Sequence, residues 1–141
     1  MPESDRVLSV VRGWVEKAEN DLRNAVHTLK LGDECPTDTV GFHAQQSVEK
    51  YLKALLVLRA RDFPKTHDVG ELAALLPPRA RPRLSAQEQR MLSVYATITR
   101  YPGDYEPISL SEARSAVSIA RRGRREIRRC LPKEVLGRKG K

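Results

Sequence analysis

Apolar residues along the chain recur at helical spacing. Val7, Val11, Trp14, Ala18, Leu22, Ala25 and Leu29 follow one another at intervals of four and three. That repeat predicts a first helix from about Asp5 to Leu31, ended by Gly32-Asp33. A second helix is predicted from about Asp38 to Ala60, stopped by Phe63-Pro64. Its apolar face carries Ala44, Val48, Leu52, Leu55 and Val57 or Leu58, and a polar stripe carries His43, Gln46, Lys50 and Lys53. Three capping pairs mark the starts of the remaining elements. Asp68 with Glu71 opens a short helix that ends before Pro77-Pro78. Ser85 with Glu88 opens a helix bearing Met91, Leu92, Val94, Tyr95 and Ile98. Ser109 with Glu112 opens the last helix, through Ala113, Val117, Ala120, Ile127 and Leu131. There is no strand-like alternation, internal repeat or glycine-rich phosphate loop. The pattern therefore predicts an all-α, antiparallel bundle of four or five helices. Residues 1–131 would form one domain, and residues 132–141 a basic, flexible tail.

Composition agrees with one core: 141 residues, 40% hydrophobic, with two Phe, four Tyr and one Trp, so packing must be mainly aliphatic. No apolar run approaches the roughly 18 residues that cross a bilayer, and the N-terminus has no apolar signal segment, so a soluble, cytoplasmic protein is expected. Cys35 and Cys130 stand far apart, without metal-type spacing to His27, His43 or His67, so no metal and no cofactor is expected. The net charge of +8 changes the picture because it is uneven. The Lys and Arg residues of 121–141 outnumber Glu126 and Glu134 there by the whole of that excess, which leaves residues 1–120 neutral. Arg121, Arg122, Arg124, Arg125, Arg128 and Arg129 share one broad face of the last helix, opposite Ala116, Ala120, Ile127 and Leu131. Such a ridge, with Arg121, Arg124, Arg125 and Arg128 at its centre, is a candidate polyanion contact. The simpler alternative is a basic last turn complementing the helix dipole, followed by a solubilising tail.

Three segments carry a family resemblance. The first holds Phe42, Gln45 or Gln46, Glu49, Lys50, Leu52, Lys53 and Ala54. The second is Lys65-Thr66-His67-Asp68, and the third Thr99-Arg100-Tyr101-Pro102, before the last helix. Together these resemble the HEPN domain (higher eukaryotes and prokaryotes nucleotide-binding), over most of residues 8–130. The resemblance implies a homodimer that binds a nucleotide, RNA or a minimal nucleotidyltransferase partner, as in two-component, toxin–antitoxin-like modules. In such pairs the transferase modifies a tyrosine, for which Tyr101 and Tyr105 are candidates. Many HEPN domains also carry Arg, four to six residues, then His, a motif that supports metal-independent RNA cleavage. Arginine stabilises charge on a phosphate, and histidine moves a proton near neutral pH.

Arg61 and His67 satisfy that spacing, yet they align with the turn after the second helix, whereas the family's motif lies near the start of the last long helix. At that place the spacing from Arg100 ends on Tyr105, and a tyrosine with a pKa of about 10 is a poor base at neutral pH. The expectation is a binding protein without a complete nuclease motif. His43, Gln46, Lys50, Lys53, Arg100, Tyr101 and Tyr105 are its candidate nucleotide, anion or partner contacts. Two alternatives stand beside it. One is a HEPN endoribonuclease toxin using Arg61 and His67; the other is a basic helical adaptor with no small-molecule site.

Overall fold

The computed structural model describes residues 3–98 and 107–137. Among these, α1 spans Glu3–Leu29, α2 Thr37–Leu58, α3 Val69–Ala74, α4 Ala86–Ile98 and α5 Leu110–Arg128, with short 3-10 turns at Gly32–Glu34, Pro78–Ala80 and Lys133–Val135. No strand is present among the described residues, so the chain is an all-α bundle.

Helix α2 packs against α1, α3, α4 and α5. Every residue from Tyr51 to Leu56 is buried in consequence, a full turn and a half with no solvent face. A helix enclosed in this way cannot keep its polar stripe wholly in water, and the stripe must find partners inside the fold. On α5 the small residues Ala113, Ala116, Ala120 and Gly123 are buried and let the backbone approach α2. A Cβ on Gly123 would meet Val48 at 3.6 Å. Gly41 makes the tighter approach on the other side, where a Cβ would lie 3.1 Å from Tyr95 and 3.2 Å from Ile108.

The three capping pairs form. Asp68 Oδ1 accepts from the Glu71 amide at 3.0 Å. Ser85 and Glu88 cap each other, the Glu88 amide donating to Ser85 Oγ and the Ser85 amide to Glu88 Oε1. Ser109 Oγ accepts from the Glu112 amide, but the Glu112 carboxylate turns instead to the buried Tyr95 hydroxyl at 2.6 Å, tying α5 to α4.

Helix ends differ from the predicted ones by a few residues. Helix α1 stops at Leu29, since the amides of Lys30 and Leu31 close i→i+3 bonds onto His27 and Thr28 before Gly32 turns at φ +62°. Helix α2 ends in a left-handed residue, Ala60 at φ +57°, with the Arg61 amide reaching back to the Leu56 carbonyl at 2.9 Å. The packed chain also runs on past residue 131. Val135 is buried against the core, Arg12 donates through Nε and Nη2 to the Glu134 carbonyl, and Arg128 donates to the Leu136 carbonyl. The segment expected as a flexible tail from 132 is therefore docked through Leu136, because two arginines satisfy its carbonyls over a buried valine.

Candidate functional site

Two carboxylates organise the charges of α2. Glu49 is buried and accepts hydrogen bonds from Lys53 Nζ at 2.8 Å, Gln45 Nε2 at 2.9 Å and His67 Nδ1 at 2.9 Å. Gln45 also donates to the His67 carbonyl, and Gln46 donates to Gln45 Oε1 at 2.7 Å. The Lys53 ammonium lies between the rings of Trp14, 5.5 Å from the centroid, and Phe63, at 5.7 Å. Burial alone would raise the Glu49 carboxyl, but the hydrogen bonds from Lys53, Gln45 and His67 and the lysine charge hold it below the usual range.

The second carboxylate is Asp21 of α1, nine-tenths buried, which accepts from His43 Nδ1 at 2.8 Å and Lys50 Nζ at 2.6 Å. With that bond made, His43 Nε2 has no hydrogen-bond partner among the described residues, and the side chains of His43 and Lys50 keep about a quarter of their surface in water. Gln46 is half-buried beside them. The stripe is thus a brace between α1 and α2 whose outer rim is His43, Gln46 and Lys50, while Lys53 is turned inward.

A third network joins α1, α2 and α5. The buried Tyr51 hydroxyl donates to Glu19, and Arg128 Nη1 donates to the same hydroxyl at 3.0 Å. Arg124 grips Glu19 with two bonds, from Nε at 2.6 Å and from Nη2 at 3.1 Å. Burial and the Glu19 carboxylate push the Tyr51 phenol up, which keeps it a neutral donor at physiological pH.

The arginine ridge expected on α5 is accordingly divided. Arg128 is buried as part of the core, Arg124 is committed to Glu19, and Arg122 pairs with Glu88 at 2.8 Å. Arg121, Arg125 and Arg129 stand exposed. Beneath Arg121 and Arg125 a groove of about 580 Å³ runs between α1 and α5.

Arg61 and His67 both lie on the connection after α2. Arg61 is exposed just past the left-handed residue that ends the helix, and nearly half of the His67 side chain is in water while Nδ1 faces Glu49. Arg100, Tyr101 and Tyr105 lie outside the described residues. Among the described residues, no three His, Cys, Asp or Glu side chains are placed to hold a metal ion, and no helix is long and apolar enough to cross a membrane.

Sequence reasoning did not find Asp21, Glu19, the contact of Trp14 with Lys53 or the α1 wall of the groove. Asp21 had a signal: it sits three residues after Ala18 and four before Ala25, in the middle of the apolar face. Nothing local distinguished Glu19, whose partners Tyr51 and Arg124 are distant in sequence.

The helical order, the buried Glu49 with its lysine and glutamine, and the following Lys-Thr-His-Asp turn define a known class. The sequence pattern of the HEPN domain matches residues 11–130, and this chain belongs to the HEPN domain family. Among solved structures it is similar to the crystal structure of TT1696 from Thermus thermophilus, at 28% identity and a TM-score of 0.72, over 86% of this chain and 98% of that one. No curated protein matches the sequence.

Proposed function

We propose that this HEPN protein acts by binding a nucleotide or RNA rather than by cutting it, as a homodimer and as one half of a module with a minimal nucleotidyltransferase. The observation that carries the reading is how the charges of α2 are satisfied. Both histidines near the family signature are held by carboxylates, His43 by Asp21 and His67 by Glu49, in pairs that brace helices against one another. What remains accessible is a mixed polar rim, the acceptor His43 Nε2, the half-buried Gln46 and the Lys50 ammonium, which can contact a nucleotide or RNA. The partner transferase rests on the family resemblance, with Tyr101 and Tyr105 as candidate residues for its modification.

One observation favours the nuclease reading. A carboxylate oriented on Nδ1 is what positions a histidine as a general base, and Glu49 does this for the half-exposed His67. Arg61 would then supply the phosphate contact.

Incubating wild type and His67→Ala with labelled RNA in EDTA, and resolving the products on a denaturing gel, separates the two. Binding alone predicts intact RNA in both lanes and a shifted band on a native gel. Cleavage by wild type that is lost in His67→Ala would replace this reading with the nuclease.

A further inference from the structure

The groove between α1 and α5 has two walls of identical helical spacing. Glu19, Leu22, Arg23 and Val26 line it from α1, and Arg121, Arg124, Arg125 and Arg128 line it from α5, each set at i, i+3, i+4 and i+7. The two faces are bridged at one level by the Arg124–Glu19 pair and open into a groove beside it. Five arginines meet a single carboxylate there, and that carboxylate already neutralises Arg124 through two hydrogen bonds. Arg128 is fixed by the Tyr51 hydroxyl and the Leu136 carbonyl. These fixed arginines stiffen the α5 wall of the groove, while three others stand at its mouth. Arg23 spends one nitrogen on Asn20, and Arg121 and Arg125 have no hydrogen-bond partner among the described residues. Between them Leu22 and the half-buried Val26 form an apolar strip.

We infer that this groove is a binding site for a nucleoside phosphate, either a free nucleotide or one unit of a single-stranded RNA. Two features favour that ligand over a bare anion. The volume of about 580 Å³ falls within the range of small-ligand sites. The floor is aliphatic, which offers a base a dry surface while planar guanidinium groups take the phosphate in paired hydrogen bonds. The site lies apart from the α2 rim and adds a second contact surface to it. The inference rests on the nucleotide or RNA reading above and extends it to this groove.

The test compares wild type, the double variant Arg121→Gln/Arg125→Gln and a charge-matched control, Arg90→Gln/Arg114→Gln. Both control residues are exposed, Arg90 on α4 and Arg114 on α5, and lie outside the groove. Binding of a short fluorescent single-stranded RNA and of a fluorescent ATP analogue is followed by anisotropy across a salt series, with circular dichroism to confirm folding. All four substituted side chains are exposed, so melting should not change. Wild type is expected to bind, the groove variant to bind about tenfold to a hundredfold more weakly, and the control to stay close to wild type. For RNA, the slope of log affinity against log salt should flatten by about 0.7 in the groove variant for the one phosphate held there. Loss confined to RNA assigns the site to a unit of a chain, and loss of the ATP analogue assigns it to a free nucleotide. Equal weakening by groove variant and control would reduce the contact to diffuse charge and overturn the site. Unchanged binding by the groove variant would overturn the site alone, whereas wild type that binds neither probe would overturn the nucleotide reading with it.

Discussion

Replacing Glu49 by Gln changes the protein where its charges are least exposed to water. The substitution keeps shape but removes the charge that the Lys53 ammonium faces at 2.8 Å, and that lysine side chain is about nine-tenths buried. It also turns one acceptor oxygen into an NH₂ group in a position surrounded by donors, Lys53 Nζ on one side and Gln45 Nε2 with His67 Nδ1 on the other. Either orientation of the new amide sets donor against donor. The rings of Trp14 and Phe63 recover part of the loss, since cation–π contact with desolvated rings is worth about 1–2 kcal/mol. Removing one member of a buried, hydrogen-bonded ion pair costs about 3–5 kcal/mol, and for a chain of this size that lowers Tm by roughly 10–20 °C. Urea and thermal unfolding followed by circular dichroism measure the effect. Adding Lys53→Met to Glu49→Gln should then recover about 1–2 kcal/mol, because a buried pair replaced on both sides no longer leaves a naked charge. If Glu49→Gln costs less than about 1 kcal/mol, the pair behaves as a surface pair, and the account of α2 as a helix braced from inside is wrong.

Four further outcomes follow from the fold. Ala60→Gly should stabilise by about 0.5–1 kcal/mol, since Ala60 sits at φ +57° and a left-handed residue with a Cβ is strained; a melt with no rise would remove that strain. Gly13→Ala, in mid-helix with nothing within 4 Å of the new Cβ, should stabilise by up to about 1 kcal/mol. Gly41→Ala, whose Cβ would press on Tyr95 and Ile108, should destabilise, and a reversed order in urea midpoints would contradict the packing described for α2 and α4. Stability should also fall on acidification. Despite its burial, Glu49 is held below its ordinary value of 4.5 by Lys53, Gln45 and His67, and Glu88 is held below it by Arg122. A depressed carboxyl means that the unfolded chain binds more protons, so this stabilisation is complete above about pH 4.5 and is lost as pH falls through the folded values. In Glu49→Gln the acid limb of stability against pH should be shallower than in wild type; identical limbs would refute the assignment.

Much of the architecture was legible in the sequence, because its signals are local. The apolar repeat placed α1, and Asp68, Ser85 and Ser109 marked the starts of α3, α4 and α5 to within a residue. The fate of the polar stripe was not legible. Whether His43 and Lys50 meet water or a carboxylate depends on Asp21, more than twenty residues earlier, and the spacing within α2 says nothing of that neighbour. The arginine ridge misled for the same reason. A helical wheel gives Arg124, Arg125 and Arg128 one shared face, while Glu19 and Tyr51 divide them into structural and accessible members. The end of the packed chain was misplaced because the carbonyls of Glu134 and Leu136 are satisfied by Arg12 and Arg128, long-range bonds that no local composition reports.

On the function proposed above, this HEPN protein holds RNA or nucleotide without cleaving it. The most direct measurement is an equilibrium titration of labelled single-stranded RNA with the wild-type protein in EDTA, with the same samples then run on a denaturing gel. Saturable binding, weakened by salt, with full-length RNA recovered at every protein concentration is the predicted result. Fragments that accumulate with protein, or RNA that stays unbound throughout, would contradict it.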